Sequence, residues 1–390
     1  MNLRVEHFGP IERAEVSFGD LNILVGPQAT GKSIFLQLYK LLQDRDAIHR
    51  RLKENDIHWR NSLESFLMLY FGEGMPAAYR EGGTRIWWDG QQVNLTDYAQ
   101  VKRGRKQRDE HVFYIPAQRV LSLREGQTRP FMDYQLGTPY VLREFSDQIH
   151  RLIQSEFADV DQLFPKTNRL RKEFRDLIEQ AIFAGFRLKP SEESPAPRRI
   201  VLASDQGNAL PYLVWSAGQR EFTPLLLGLY WLLPPGKVSK RSVETVVIEE
   251  PEMGLHPQAI IAVMALLLEL LKRGYRLCIT THSSQVLEVV WALRLFQRHG
   301  AEPLDVLRLL GLPSKPLTQE LARRVLEADV RVYYFKRDGT TEDISELNPA
   351  APSAAEWSWG GLIEFATRTN DLVAEVLARA ENRNALTAVR

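Results

Sequence analysis

"GPQATGKS", residues Gly26–Ser33, sits between the aliphatic run "LNILV" and the apolar-periodic segment "KSIFLQLYKLLQ". The pattern is G-x-x-x-x-G-K-[ST], flanked by a strand before and a helix after, which is the context that gives the motif its meaning. Gly26 and Gly31 let the backbone bend so that the N–H groups of Gln28–Ala29–Thr30–Gly31 and their successors converge on phosphate oxygens. (Pro27, having no N–H, shapes the loop and donates nothing.) The start of the following helix adds partial positive charge. Lys32 is expected to reach the β- and γ-phosphates of a nucleotide, and the Ser33 hydroxyl to ligate Mg²⁺. A chance Gly-rich turn would not require both flanks.

Working outward, "LRVEHF" and "AEVSF" read as two further strands before the loop. A helical pattern covers Ile57–Tyr70. Residues 72–95 look like a small β element around an Asp-Gly turn, and "HVFYIP" at His111–Pro116 is another strand. From Pro139 to Phe186 the periodicity is helical. "PSEESPAP" at Pro190–Pro197 is a break. Beyond it, strands and helices alternate: "RRIVLA", the helix after "SAGQRE", "VETVVI", "QAIIAVMALLLELLK", "RLCITT" and "SSQVLEVVWAL". Such alternation implies α/β architecture with a parallel sheet. A hairpin, "VRVYYFKRDGTTEDIS", and a terminal helix follow. The expected organisation is a core of 1–135 and 198–345, a helical insertion over 136–197, and a helical tail over 346–390.

"EEPEMGLHP" at Glu249–Pro257 places two carboxylates at the end of a buried strand, where isolated charge is costly. Nucleotide hydrolysis requires an acid near the Mg²⁺ and a group that activates water. Glu249 stands where the metal-side acid belongs, with contact through water expected from its extra methylene. Glu250 stands where a general base belongs. A solvated strand end followed by a helix cap is the plainer reading of the same residues.

Two further motifs fix the branch. "SAGQRE" at Ser216–Glu221 opens a helix, and "ITTHSS" at Ile279–Ser284 ends a strand with His282 at its tip. The order of phosphate loop, S-x-G-Q, acid pair with Pro, and strand-end His resembles the ABC-class ATPases. The fold implied is a P-loop NTPase of ABC type, a mixed parallel sheet with an N-terminal antiparallel β element. The resemblance implies that Ser216, Gly218 and Gln219 of one subunit contact the γ-phosphate held by another, and that His282 senses it. Ala217 replaces the usual first Gly. Read without the resemblance, Ser216 is a helix N-cap and His282 a hydrogen-bonded strand end. Transporter subunits put Asp where His256 stands, six positions after Glu250. "EEPEMGLHP" and "GPQATGKS" look instead like the ATPases related to SMC proteins and to the overcoming-lysogenization-defect nucleases. In "FYIPAQR", similarity to that family makes Gln118 a candidate to ligate Mg²⁺ or position water; a polar turn is the alternative. The Asp159–Asp161 pair lies between helical patterns, so no nuclease centre is expected.

Apolar content of 44%, charged content of 25% and a net charge of +1 carry no global polybasic signal. Two local runs, Val101–Arg108 and Asn168–Arg175, make DNA a candidate partner. The lone cysteine, Cys278, excludes an internal disulfide and fits a reducing, cytoplasmic setting. No signal peptide and no membrane span are expected. The implied cofactors are ATP and Mg²⁺. The expected function is an ATP-hydrolysing switch, acting as a homodimer or higher homo-oligomer closed through its ATP sites and regulating a separate effector protein in bacterial or archaeal antiviral defence. A DNA-binding repair or chromosome-maintenance ATPase is the alternative, and a transporter ATPase subunit a third reading.

Overall fold

The computed structural model describes residues 1–101, 109–191, 199–204, 206–234 and 242–388, from 380 onward as backbone alone. The basic run after Val101 lies outside the described residues, as does most of the Pro/Ser break.

The central sheet contains β3 (Leu21–Val25), β6 (Val112–Ile115), β12 (Thr245–Glu249), β13 (Arg276–Thr281), β14 (Val330–Phe335) and β15 (Thr341–Asp343). Their order is β15-β14-β3-β13-β12-β6, parallel throughout except for β15, which closes a hairpin on β14. Every residue of β3, β6 and β12 is buried, as continuous aliphatic runs covered on both faces must be. The register pairs Val25 with Thr281 and Thr280 with Glu249. The carboxyl ends of these strands therefore finish along one edge, where ligands bind in open α/β sheets.

The antiparallel sheet is β2-β1-β4-β5, built from β1 (Asn2–Phe8), β2 (Ile11–Ser17), β4 (Arg85–Trp88) and β5 (Gln91–Val93). The small β element of 72–95 is thus an extension of the N-terminal strands: Leu3 pairs with Trp88 and Val5 with Ile86. Asp89 and Gly90 both take positive φ, 48° and 80°, as a tight hairpin requires. Trp87 lies under Arg4, and Trp88 meets Tyr39 at 5.6 Å, so both rings pack the sheet.

Helices cover the sheets: α1 (Lys32–Glu54), α2 (Leu63–Phe71), α3 (Leu95–Ala99), α4 (Tyr140–Ser155), α5 (Lys172–Ile178), α6 (Ala217–Leu232), α7 (Pro257–Lys272), α8 (Ser284–Arg298), α9 (Pro303–Leu309), α10 (Pro316–Leu326), α11 (Ala354–Trp357) and α12 (Glu364–Ala388). α2 begins later than the apolar pattern from Ile57 suggests, because the Ser62 side chain caps it by accepting from the Ser65 N–H. The pattern from Pro139 to Phe186 is helical only in part. Between α4 and α5 the chain is irregular, and it buries Phe157, Leu163 and Phe164 without helical spacing. It ends in β9 (Arg187–Pro190), paired with β10 (Ile200–Ala203) and through it β11 (Ala209–Leu210); β7 (Leu123–Arg124) and β8 (Gln127–Thr128) form a two-residue ladder. The helix α4 joins the main core, with Phe145 6.2 Å from Phe113 of β6 and Gly228 of α6 fitted against the Phe145 ring.

A buried ionic cluster ties α1 to β6. Lys40 pairs with Asp44 and Glu110 and donates to the Val112 carbonyl, while Asp44 accepts from the His111 and Val112 N–H groups. Asp44 leaves helical φ/ψ, and α1 kinks there. The strand that carries the polar turn after Pro116 is thus anchored to the helix that opens at the phosphate loop. No helix among the described residues is long and apolar enough to cross a membrane.

Candidate nucleotide site

The loop Gly26–Ser33 joins the end of β3 to α1. Gly26 has φ of 144°, and a Cβ there would lie 2.2 Å from the Phe335 carbonyl oxygen at the end of β14, so a side chain is excluded. The Thr30 hydroxyl donates to the Pro27 carbonyl at 2.9 Å. The Lys32 ammonium donates to the Gly26 and Pro27 carbonyls, each at 2.8 Å, so the lysine is folded over the loop it belongs to. Gln28, Ala29 and Ser33 are exposed at the rim.

The adjacent strand ends bring the acids and the histidine to this loop. Glu249 is buried. Its oxygens accept from the Tyr114 hydroxyl and the Ala117 N–H, each at 2.9 Å. Glu250 is half-buried, and its Oε1 lies 3.3 Å from His282 Nε2. Its φ of 44° is left-handed, a conformation that costs a residue with a Cβ about 1–2 kcal/mol.

The Ser-Ala-Gly-Gln segment starts α6. Ser216 and Gln219 form a capping box: the Ser216 side chain accepts from the Gln219 N–H at 3.2 Å, and Gln219 Oε1 accepts from the Ser216 N–H at 3.1 Å. Gly218 packs against the acid turn, where an added Cβ would meet the Gly254 carbonyl oxygen at 2.9 Å. Ala217 fits without a glycine because its side chain is exposed. Ser216 is exposed too, beside Leu213 and Val214, which are 66% and 62% exposed.

The phosphate loop after β3, the acid pair closing β12 and the histidine closing β13 stand at neighbouring strand ends of one sheet, and the S-x-G-Q helix start packs against the acid turn. This arrangement resembles that of the ABC-class P-loop ATPases. It resembles the SMC-related AAA ATPases. Residues 123–288 match the family described as "AAA domain, putative AbiEii toxin, Type IV TA system". That match takes in Ser216, Glu249, Glu250 and His282, and begins after the phosphate loop, which stands on its own motif and geometry. Among solved structures, similarity extends to an SMC head domain from Thermotoga maritima (14% identity, 74% of this chain and 90% of that chain, TM-score 0.31). It extends to an SMC head bound to the C-winged helix domain of ScpA (12%, 88% and 95%, 0.41). A dimeric bacterial ABC transporter cassette is also similar (11%, 87% and 98%, 0.35). These superpositions are loose, and the assignment rests on the motifs and their arrangement. No curated protein sequence matches the chain.

Charge in this site is tuned by burial and contact. Burial pushes the Lys32 ammonium down to about 8, against the pull of Glu250 and Glu249. Burial raises Glu249, and the Ser33 side chain with the bonds from Ala117 and Tyr114 offsets part of that rise. The contact with His282 holds Glu250 below the usual carboxylate range, with burial opposing. Ser33 and Glu249 offer hard oxygen donors side by side, a set that suits Mg²⁺.

Four residues in the site, Tyr114, Ala117, Arg119 and Glu252, escaped the sequence reading. Tyr114 and Ala117 hold Glu249, and the exposed Gln118 stands beside them. Arg119 is fully buried against the acid turn. Glu252 Oε1 accepts from the Thr281 hydroxyl at 2.7 Å and the His282 N–H at 2.8 Å. A buried strand ending in "YIPAQR" and a third acid in "EEPE" were the available signals, though nothing local says what they touch. In the run Asn168–Arg175, Arg169 is buried and donates to the Tyr230 and Leu233 carbonyls, so it serves the fold and is not presented to a phosphate backbone.

Proposed function

We propose that the chain hydrolyses ATP and acts as a nucleotide-gated switch, with ATP held between two copies. The observation that carries the reading is the Glu250–His282 contact of 3.3 Å, made at the strand ends beside the phosphate loop. The loop N–H groups and Lys32 bind the phosphates. Glu250, held in place by His282, accepts a proton from the attacking water as the γ-phosphoryl group passes to that water, and ADP and phosphate leave. Magnesium, when bound, would offset the charge on the β- and γ-oxygens; Ser33 and Glu249 would hold it, Glu249 through water, with Gln118 a further candidate. From the second copy, Ser216, Gly218 and Gln219 would face the γ-phosphate. The exposed Ser216 hydroxyl at a helix start suits that role.

The experiment is Mg²⁺-dependent phosphate release by the wild type and by Glu250→Gln. The variant is expected to bind ATP, lose turnover and accumulate as an ATP-bound dimer in light scattering. Unchanged turnover would remove Glu250 from its role. The matched family's description includes a toxin–antitoxin setting, which favours a partner-gated role in defence over transport. An effector that copurifies with Glu250→Gln in ATP, and not with the nucleotide-free protein, is the expected companion result.

A further inference from the structure

Arg119 has no part in the chemistry described so far, yet it occupies the junction of the site. It lies in the turn Ala117–Ser122 that follows β6 and is 0% exposed. One terminal nitrogen donates to the Glu249 carbonyl at 2.8 Å, and the other to the Glu250 carbonyl at 3.0 Å. Its Nε donates to the Glu221 carbonyl at 3.1 Å, in the first turns of α6. The Glu221 carboxylate lies 3.9 Å away. A guanidinium is costly to desolvate, and its planar fork suits several acceptors fixed in one plane. Here those acceptors are two successive carbonyls of the acid turn and one carbonyl of the signature helix.

The opposite side of the same residue is also held. The Glu250 N–H donates to the Thr280 carbonyl at 2.9 Å, with Thr280 Oγ1 at 3.3 Å. Glu250 is therefore gripped at its N–H by β13 and at its C=O by Arg119. A left-handed residue with a Cβ persists only where its surroundings over-determine it. This conformation turns the Glu250 side chain toward His282.

We propose that Arg119 is a positioning residue: it holds the left-handed backbone of Glu250 and couples it to the start of α6, so that placement of the signature helix sets the aim of the carboxylate. The proposal rests on the ATPase reading above. It adds that closure at Ser216–Gln219 reaches Glu250 of the same chain through one guanidinium.

The test is a double-variant cycle on Arg119 and Glu250, read as single-turnover hydrolysis and as affinity for a fluorescent ATP analogue. Arg119→Lys keeps the charge and loses the fork. It is expected to slow hydrolysis by about 10- to 100-fold, the scale of a misplaced catalytic group, with affinity within about two-fold of wild type. Placed in the Glu250→Gln background it should cost nothing further, because it acts through Glu250. Unchanged hydrolysis in Arg119→Lys, or a full additive loss in the double variant, overturns the proposal. If Arg119→Lys does not fold, Arg119→Gln carries the test, since it keeps an amide donor at the turn and loses the charge and the fork. It should slow hydrolysis several-fold, again without effect in Glu250→Gln, and an unchanged rate overturns the proposal. A wild-type protein that binds ATP and never hydrolyses it fails in a different way: it removes the ATPase reading, and this proposal with it.

Discussion

The carboxylate of Glu252 and the backbone N–H of His282 are joined at 2.8 Å, so the acid turn after β12 holds the histidine that ends β13. The third acid of "EEPE" is thus a brace between neighbouring strand ends. The same oxygen takes the Thr281 hydroxyl at 2.7 Å. Removing the acceptor leaves two donors unpaired in a partly buried place, at a cost of about 1–3 kcal/mol.

Glu252→Ala is accordingly expected to lower kcat by about ten-fold or more, as His282 drifts from Glu250. ATP affinity should stay near the wild-type value. Glu252→Gln keeps an acceptor oxygen and should recover most of the rate. Steady-state kinetics on the two variants decide it; equal losses in both would mean that charge, and not acceptance, is what Glu252 supplies.

His282→Ala removes the contact that holds Glu250 below the usual carboxylate range and fixes its carboxylate beside the strand end. Turnover should fall by about 10²- to 10⁴-fold, the range spanned by one acid–base participant. Binding of ATP should persist, because the loop and Lys32 are untouched. Loss of binding in step with turnover would place His282 in nucleotide capture.

Lys32 provides the pH dependence. Burial lowers its ammonium to about 8, so in the nucleotide-free protein it loses its proton as pH rises through that value. Phosphate oxygens favour the charged form. ATP binding above about pH 8 should therefore take up a proton, and affinity should fall as pH rises further. The stability sign is opposite: the cost of burying the charged lysine disappears as pH climbs from about 8 toward the ordinary lysine range, so the free protein gains stability there. Calorimetry in buffers of different ionisation enthalpy measures the uptake, and Lys32→Ala should abolish it.

Lys40 tests the fold behind the site. It is buried and paired with Asp44 and Glu110. Lys40→Met leaves two acids without their cation and should cost about 3–5 kcal/mol in denaturant unfolding. Replacing Asp44 and Glu110 by Asn and Gln in the same chain should recover part of that loss. A single variant as stable as wild type would show that the acids find another partner.

Much of this was legible one residue at a time. The strand–loop–helix around Gly26–Ser33, the Ser216–Gln219 cap and the Asp89–Gly90 turn are local, and their side chains act on backbone a few residues away. Parallel strands were readable from their buried aliphatic runs. The helical pattern of 139–186 was misleading between α4 and α5, because Phe157, Leu163 and Phe164 are drawn into the core by tertiary contact and not by helical periodicity.

By itself, then, the sequence determined the chemical inventory: a phosphate loop, an acid pair, a strand-end histidine and a capped helix start, in an order that names a class of fold. Tertiary structure decided what each carboxylate does. Glu249 takes Tyr114 and Ala117, Glu250 takes His282, and Glu252 takes the backbone of His282, all from strands that are neighbours in space and distant in sequence. It also decided that Arg119 binds the acid turn to the signature helix. The reason is physical. Capping and turn formation are settled over a few residues of backbone, whereas the partner of a buried charge is whatever the crossover connections of a parallel sheet bring within hydrogen-bond reach.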